Sequence, residues 1–421
     1  MRASTVVKNT NTTMSIFHNE DSKGGGPVTF GDHLSGTDLV YTIIQNAIEK
    51  GASDVHIEPY EQGGRIQFRV DGVLHEVDII EEDQLTAITN SLRVLANLDL
   101  VNAVTPEDGH FFHTYNNQKQ EVITVDIRLS IFPVVDGSSI VLRVLDRSEV
   151  LLSMKDLGME EEDLLRFKRL SLRSYGMLLV TGPVGSGKTT TLYSVLLEFS
   201  KQKDHKNIIT LEDPVEYHFD GIRQSQIQPE RGFTFAEGMK SILRQDPDAI
   251  MIGEIRDQDT AGYAIEASLA GRAVFSSIHA NSTVGTIARL VDMNIERGLI
   301  AYAINGAISQ RLVKKICSSC KIDYAPPLEH LKMLGIEHEK IDYKIGAGCE
   351  ECEFTGYKGR TGIFEILEFS DEIRALIVEK ASIQEITEAA EKGGFKSLRG
   401  EAVEKIRQGI ITPEEAIKTA Y

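Results

Sequence analysis

Residues 182–190 read Gly-Pro-Val-Gly-Ser-Gly-Lys-Thr-Thr. Gly182, Gly187, Lys188 and Thr189 fit the G-x-x-x-x-G-K-[ST] pattern of a phosphate loop, in which glycines let the backbone curl until its N–H groups converge on phosphate oxygens. Lys188 is placed to reach β- and γ-phosphates, and the Thr189 hydroxyl to ligate Mg²⁺. The nucleotide is expected along Gly182, Pro183, Val184, Gly185, Ser186, Gly187, Lys188, Thr189 and Thr190. Before the loop, Met177–Thr181 is an apolar run of buried-strand type. After it, residues 191–197 have helical character, so a helix N-terminus adds positive charge under the phosphates.

Three further apolar runs end in polar residues. Residues 208–211 end at Glu212-Asp213, residues 249–252 at Gly253-Glu254, and residues 273–278 at His279. Ligands of open parallel sheets bind beyond the carboxyl ends of the strands, so these sequence-distant groups are expected to converge on one nucleotide. Hydrolysis needs a group that positions or deprotonates the attacking water. That role is read for Glu212, with Glu254 on the Mg²⁺ side beside Thr189, although the two acids could be exchanged. His279 is expected to sense the γ-phosphate or to couple subunits.

All four cysteines form two C-x-x-C pairs, Cys317 with Cys320 and Cys349 with Cys352. Four thiolates suit a closed tetrahedral Zn²⁺ site; a catalytic zinc would leave one position open, so this one reads as structural.

Two arginines form a second cationic group. Ile123, Val125, Ile127, Leu129 and Ile131 alternate with Thr124, Asp126, Arg128 and Ser130, which points Arg128 away from the apolar face. Asp136-Gly137 reads as a two-residue hairpin turn. With that turn Arg143 pairs with Ser130 and lies diagonal to Arg128 on the same face. Two guanidiniums on one exposed face suit a phosphate clamp.

The frame that positions these groups is α/β throughout. The reading gives a leader over 1–33, an α+β module over 34–147, a linker over 148–162 and a nucleotide core over 163–314. A cysteine module over 315–362 and a helical tail over 363–421 follow. Within the first module a helix starts near Thr37, Asp71-Gly72 marks a hairpin, and a second helix covers about 83–98. Thr412-Pro413-Glu414-Glu415 reads as a capping box with proline at the first helical position. No run of about 18 apolar residues suggests a membrane span. Four cysteines in 421 residues do not make a disulfide scaffold, which favours a cytoplasmic location. Lys plus Arg is 45 against 63 Asp plus Glu, a net charge of −18. With no dense basic tract, nucleic acid is not expected as a partner.

Four stretches occur in order: "GPVGSGKTT", "ITLEDPVEY", "LRQDPDAIMIGEIRD" and "GRAVFSSIHANST". They resemble the Walker A, Asp box, Walker B and His box of the secretion ATPases, the motors of type II secretion and type IV pilus assembly. "GASDVHIEP" and the cysteine module are similar too, so the resemblance runs from about residue 35 to the end. It implies a RecA-like P-loop core, a PAS-like N-terminal domain and a homohexameric ring. It also implies ATP hydrolysis with Mg²⁺, spent on an inner-membrane platform protein so that pilin subunits are extracted and added. Membrane association would be peripheral, through partners, at the inner face of the cytoplasmic membrane. Arg128 and Arg143 would be pressed onto ATP when the domains close. The cysteines resemble the assembly branch, since the retraction branch generally lacks them. A retraction or DNA-transfer motor and an ATP-binding scaffold ring are the competing readings. Assembly motors often carry a further N-terminal domain, whereas here the leader alone precedes the PAS-like module.

Overall fold

A computed structural model describes residues 35–100, 105–116, 122–145, 152–202 and 206–420. The leader read over 1–33 lies outside them, as do residues 148–151 of the linker. The chain divides into two compact units: residues up to His113 with Asp126–Val144, and Thr114–Val125 with Leu145 onward.

The first unit is α+β. Its elements are α1 (Gly36–Glu49), β1 (Ala52–Tyr60), β2 (Gly63–Val70), β3 (Val73–Glu81), α2 (Glu82–Leu95), and the larger parts of β4 (Glu107–Asn116, as far as His113), β5 (Val122–Val134, from Asp126) and β6 (Gly137–Leu145, as far as Val144). Ser35 caps α1 through the Asp38 N–H, and Leu39, Val40, Ile43, Ile44 and Ala47 form the buried face of that helix. The six strands run in the order β3-β2-β1-β6-β5-β4. The β2–β3 hairpin turns at Asp71-Gly72, both at positive φ (46° and 81°), as a two-residue type I′ turn needs. The next hairpin differs from expectation. β5 ends at Val134 and β6 begins at Gly137, so the connection is Val135-Asp136, one residue earlier than Asp136-Gly137. Val125, Ile127, Leu129 and Ile131 of β5 are buried, as are Ile140, Leu142 and Val144 of β6. Arg128 and Arg143 therefore lie on the opposite face of their strands.

The second unit opens with a 3₁₀ turn at Met154–Leu157, whose Met154 and Leu157 sit in the core, so the stretch read as linker is packed from there on. Its first elements are α3 (Glu161–Ser171), β7 (Gly176–Thr181), α4 (Lys188–Ser200), β8 (Ile208–Glu212), β9 (Ile222–Gln226), α5 (Phe235–Ile242), β10 (Ala249–Ile255) and α6 (Gln258–Leu269). Then come β11 (Ala273–Ile278), α7 (Thr283–Asp292), α8 (Arg297–Ala303), β12 (Ile304–Ile316), β13 (Lys321–Asp323), α9 (Leu328–Leu334), β14 (Lys344–Gly346) and β15 (Tyr357–Glu368). Helices α10 (Asp371–Val378), α11 (Ile383–Lys392), α12 (Leu398–Arg407) and α13 (Pro413–Ala420) close the chain.

Seven strands form one sheet in the order β15-β12-β7-β11-β10-β8-β9. All neighbours pair in parallel except β15, which is antiparallel to β12. β7, β8 and β11 are buried along their whole length, which is why their sequences are continuous apolar runs. The boundary read at residue 314 falls inside β12. β15 returns to pair with it from Gly306↔Glu368 to Ile316↔Tyr357. The cysteine segment is thus an excursion between two adjacent strands of the nucleotide sheet. Among the described residues no helix is long and apolar enough to cross a membrane.

Candidate active site

The phosphate loop joins β7 to α4. Gly187, at φ 86°, is the N-cap of α4, a left-handed position that favours glycine. At Gly182 the need is space: a Cβ would meet the Gln310 carbonyl oxygen and Ser186 Oγ at 2.6 Å each. Lys188 Nζ donates to the carbonyls of Gly182 and Pro183, both at 2.9 Å, so the ammonium is folded over the loop. Burial holds this ammonium below its usual pKa; the Glu254 carboxylate opposes the shift and the Arg311 guanidinium adds to it. Ser186 Oγ and Thr191 Oγ1 are buried without a hydrogen-bond partner. A folded-back lysine, an unused buried hydroxyl and a glycine with no room for a Cβ fit a phosphate chain. Thr189 is half-buried and Thr190 exposed at the first turn of α4.

The sheet order sets the polar strand ends in a row from the loop: His279 after β11, Glu254 on β10, Glu212 on β8. The His279 loop is clamped at its start, because Thr181 Oγ1 donates to the Ala280 carbonyl (2.7 Å) and accepts the Ala280 N–H (2.9 Å). Ser276 and Ser277 donate to the carbonyls of Ile252 and Gly253, at 2.8 and 2.7 Å, holding β11 to β10. His279 Nε2 then lies 3.2 Å from Glu254 Oε2, while Arg256 donates to Glu254 Oε1. Arg256 also reaches Asp213 at 3.6 Å. Burial pushes the Glu254 carboxyl up, but the Arg256 hydrogen bond and charge outweigh it, with His279 and Lys188, and hold it below the usual carboxylate range. Lys188, Glu254 and His279 are therefore one electrostatic group.

Glu212 is placed differently. It is 2% exposed and accepts from Tyr193 Oη, Thr210 Oγ1 and Gln224 Nε2. The Tyr193 hydroxyl also accepts the N–H of Glu216 (3.1 Å) and Tyr217 (3.4 Å), tying α4 to the loop after β8. Burial and then the Glu212 charge push that phenol far above its ordinary range, so it stays a neutral donor. Glu216, four residues beyond Glu212, is half-buried. Glu216, Tyr193, Arg256 and Arg311 join the site beyond the residues expected from the sequence; Glu216 is the second glutamate of "LEDPVE" and Arg256 follows Glu254 in "GEIRD", while Tyr193 and Arg311 carry no such signal.

The four cysteines come together. Their sulfurs lie within 4.8 Å of one another. Cys317–Cys349 and Cys320–Cys352 are 3.8 Å apart, and Cys349–Cys352 3.7 Å. A tetrahedron with Zn–S of about 2.3 Å has S–S edges of about 3.8 Å. Cys352 Sγ also accepts the N–H groups of Cys349 (3.2 Å) and Gly356 (3.3 Å), as a bound thiolate requires. The helical tail secures the segment. Thr412 Oγ1 caps the Glu415 N–H, but Glu415 Oε1 accepts the Lys314 N–H rather than closing a capping box. Glu414 accepts from Tyr324 and lies 3.0 Å from His330 Nδ1.

In the first unit Arg128 and Arg143 line one cavity of about 340 Å³ with Asp108, Gly109, Ser130 and Val141. Arg143 Nε donates to Asp54 Oδ1 at 3.0 Å, a carboxylate from the "SDVHIEP" stretch.

A family model described as Type II/IV secretion system protein matches residues 32–418. Type II secretion system protein E of Pseudomonas aeruginosa is 41% identical over 381 residues, covering 90% of this chain and 74% of that protein. Type IV pilus assembly ATPase PilB of Thermus thermophilus is 39% identical over 390 residues, covering 92% of this chain and 43% of that protein. Among solved structures, the pilus retraction motor PilT with bound ADP superposes with a TM-score of 0.59 at 25% identity, over 92% of this chain and 97% of that one. The Legionella pneumophila ATPase DotB gives 0.69 at 21% identity over 93% and 97%, a likeness of fold. Its loop, its strand ends and these matches agree: the chain belongs to the Type II/IV secretion system protein family and is a P-loop ATPase.

Proposed function

We propose that the chain works as a homohexamer that hydrolyses Mg²⁺-ATP to move an inner-membrane platform protein, so that pilus or pseudopilus subunits are added. The relatives named for type II secretion and pilus assembly support this reading, as does the tetracysteine segment. It would act at the cytoplasmic face of the inner membrane, held there by its partners. The excess of acidic residues supports a protein partner over nucleic acid.

The observation that carries the catalytic part is the Lys188–Glu254–His279 group beside the phosphate loop. Residues 182–190 would cradle the phosphates, with Lys188 swinging from the loop carbonyls onto β- and γ-phosphate oxygens. Thr189 and Glu254 would hold Mg²⁺, which neutralises charge on the leaving phosphate. Glu212, its oxygens taken by three side chains, would buttress the site. The water-orienting role passes to Glu216, a half-buried carboxylate on a loop pinned by Tyr193. His279 would report the state of the terminal phosphate through Glu254. Arg128 and Arg143 would come onto ATP from the N-terminal unit, with Asp54 orienting Arg143. Zn²⁺ on Cys317, Cys320, Cys349 and Cys352 would be structural.

Complementation of a deletion strain tests the reading. The wild-type gene should restore pili or secretion, and Lys188→Ala should not. Restoration by Lys188→Ala, or no loss of either on deletion, would contradict it.

A further inference from the structure

β12 runs beside β7, with Ser309 opposite Thr181 as the last parallel pair. The next two residues, Gln310 and Arg311, therefore flank the start of the phosphate loop. Gln310 Nε2 donates to the Ser186 carbonyl at 2.6 Å. Arg311 does something else. Its Nη2 donates to the carbonyl of Asn281 at 3.0 Å, two residues past His279, and its Nη1 to the Gln310 carbonyl at 3.0 Å. Among the described residues it forms no salt bridge. A half-buried guanidinium that spends its donors on backbone carbonyls is costly unless it fixes something.

What it fixes is the loop that carries His279. That imidazole is 52% exposed and lies 3.2 Å from Glu254, so whether it stays there depends on how its loop is held. The loop is held from two sides. Thr181, at the end of β7, takes both backbone groups of Ala280. Arg311, on β12, takes the carbonyl of Asn281. The far side of the loop is anchored too: Glu365 of β15, 6% exposed, accepts the Thr283 N–H (2.8 Å) and hydroxyl (2.6 Å) at the start of α7. Glu365 also lies close enough to Arg311 to favour its charge.

We infer that Arg311 is a positioning residue for hydrolysis: its fork ties the His279 loop to the strand beside the phosphate loop and so keeps His279 on Glu254. The inference rests on the reading of residues 182–190 as the ATP site and of His279 as a participant. Lysine at this position keeps a charge but has one ammonium in place of two forked donors, so it should not substitute.

Phosphate release at saturating Mg²⁺-ATP, with KM and ADP affinity, would be measured for wild type, Arg311→Gln, Arg311→Lys, His279→Ala and the double variant Arg311→Gln/His279→Ala. Both Arg311 variants should lose at least tenfold in kcat, with less than threefold change in ADP affinity. In the His279→Ala background, Arg311→Gln should cost less than twofold, because residues that act through one another are not additive. Wild-type kcat in Arg311→Lys, or a full tenfold further loss in the double variant, overturns the inference. If Arg311→Gln does not fold, the Arg311→Lys pair with His279→Ala carries the same comparison. No hydrolysis by the wild type would instead sink the ATP-site reading itself.

Discussion

His279 Nε2 lies 3.2 Å from Glu254 Oε2, and Arg256 holds the other oxygen of the same carboxylate. Two strand ends far apart in sequence thus share one acid at the mouth of the phosphate loop. The arrangement keeps Glu254 ionised although burial favours its neutral form. Sheet order makes it possible, since β11 lies between β7 and β10.

A pH dependence follows. If Glu254 holds Mg²⁺ as proposed, it must be deprotonated, and Arg256 is the main group that holds its pKa down against burial. Removing Arg256 leaves burial to act with less opposition, so the folded-state pKa rises. The acid limb of kcat in Arg256→Gln should move to higher pH, while the alkaline side stays where it is. An acid limb that does not move, measured by phosphate release across pH, would show that Glu254 is not the titrating group.

Glu212 and Glu216 should separate cleanly. Glu212→Gln replaces a buried acceptor of three hydrogen bonds with a group that must orient one end as a donor, so it should cost about 1–3 kcal/mol of stability. Glu216→Gln should leave stability within about 0.5 kcal/mol and lower kcat at least tenfold, with ATP binding retained. Thermal or urea unfolding beside turnover measures both. A stable, inactive Glu212→Gln with an active Glu216→Gln would return the water-orienting role to Glu212.

Much of the candidate site was legible because its polar groups end apolar runs, and buried parallel strands advertise themselves as such runs. Glu254 and His279 were read that way, the phosphate loop from its glycine-lysine pattern as well, and the cysteines from their two C-x-x-C pairs. What was not visible depends on side-chain direction. Glu212 ends a strand as read, but its carboxylate turns back to Tyr193 on α4, a contact set by helix–sheet packing and not by spacing. Arg256 sits inside "GEIRD", but its hold on Glu254 depends on side-chain direction; Arg311 carries no motif, and its partner Asn281 comes from the order of strands in the sheet. The hairpin of β5 and β6 turns one residue early because Asp136-Gly137 is a turn signal whose frame depends on pairing. The return of β15 into the core sheet was hidden by the cysteine segment between it and β12.

The cysteine sulfurs already stand at the spacing of a tetrahedral thiolate site. Purified protein should contain one zinc per chain by elemental analysis. Cys349→Ser should lose it and become protease-sensitive across about 315–360, because ligation contributes folding energy locally. A metal-free wild type of full stability would refute the site.

Arg128→Ala and Arg143→Ala should each lower turnover at least tenfold with folding intact. Asp54→Asn should weaken the effect of Arg143 alone, since Asp54 binds that guanidinium. Wild-type turnover in both arginine variants would remove the N-terminal unit from the chemistry.

Residues 182–190 are expected to be where ATP is split. The most direct test is phosphate release from Mg²⁺-ATP by purified wild type and Lys188→Ala side by side, with folding checked by unfolding curves. Mg²⁺-dependent release by the wild type and a loss of at least ~100-fold in Lys188→Ala are expected. Equal release by the two proteins would contradict this assignment.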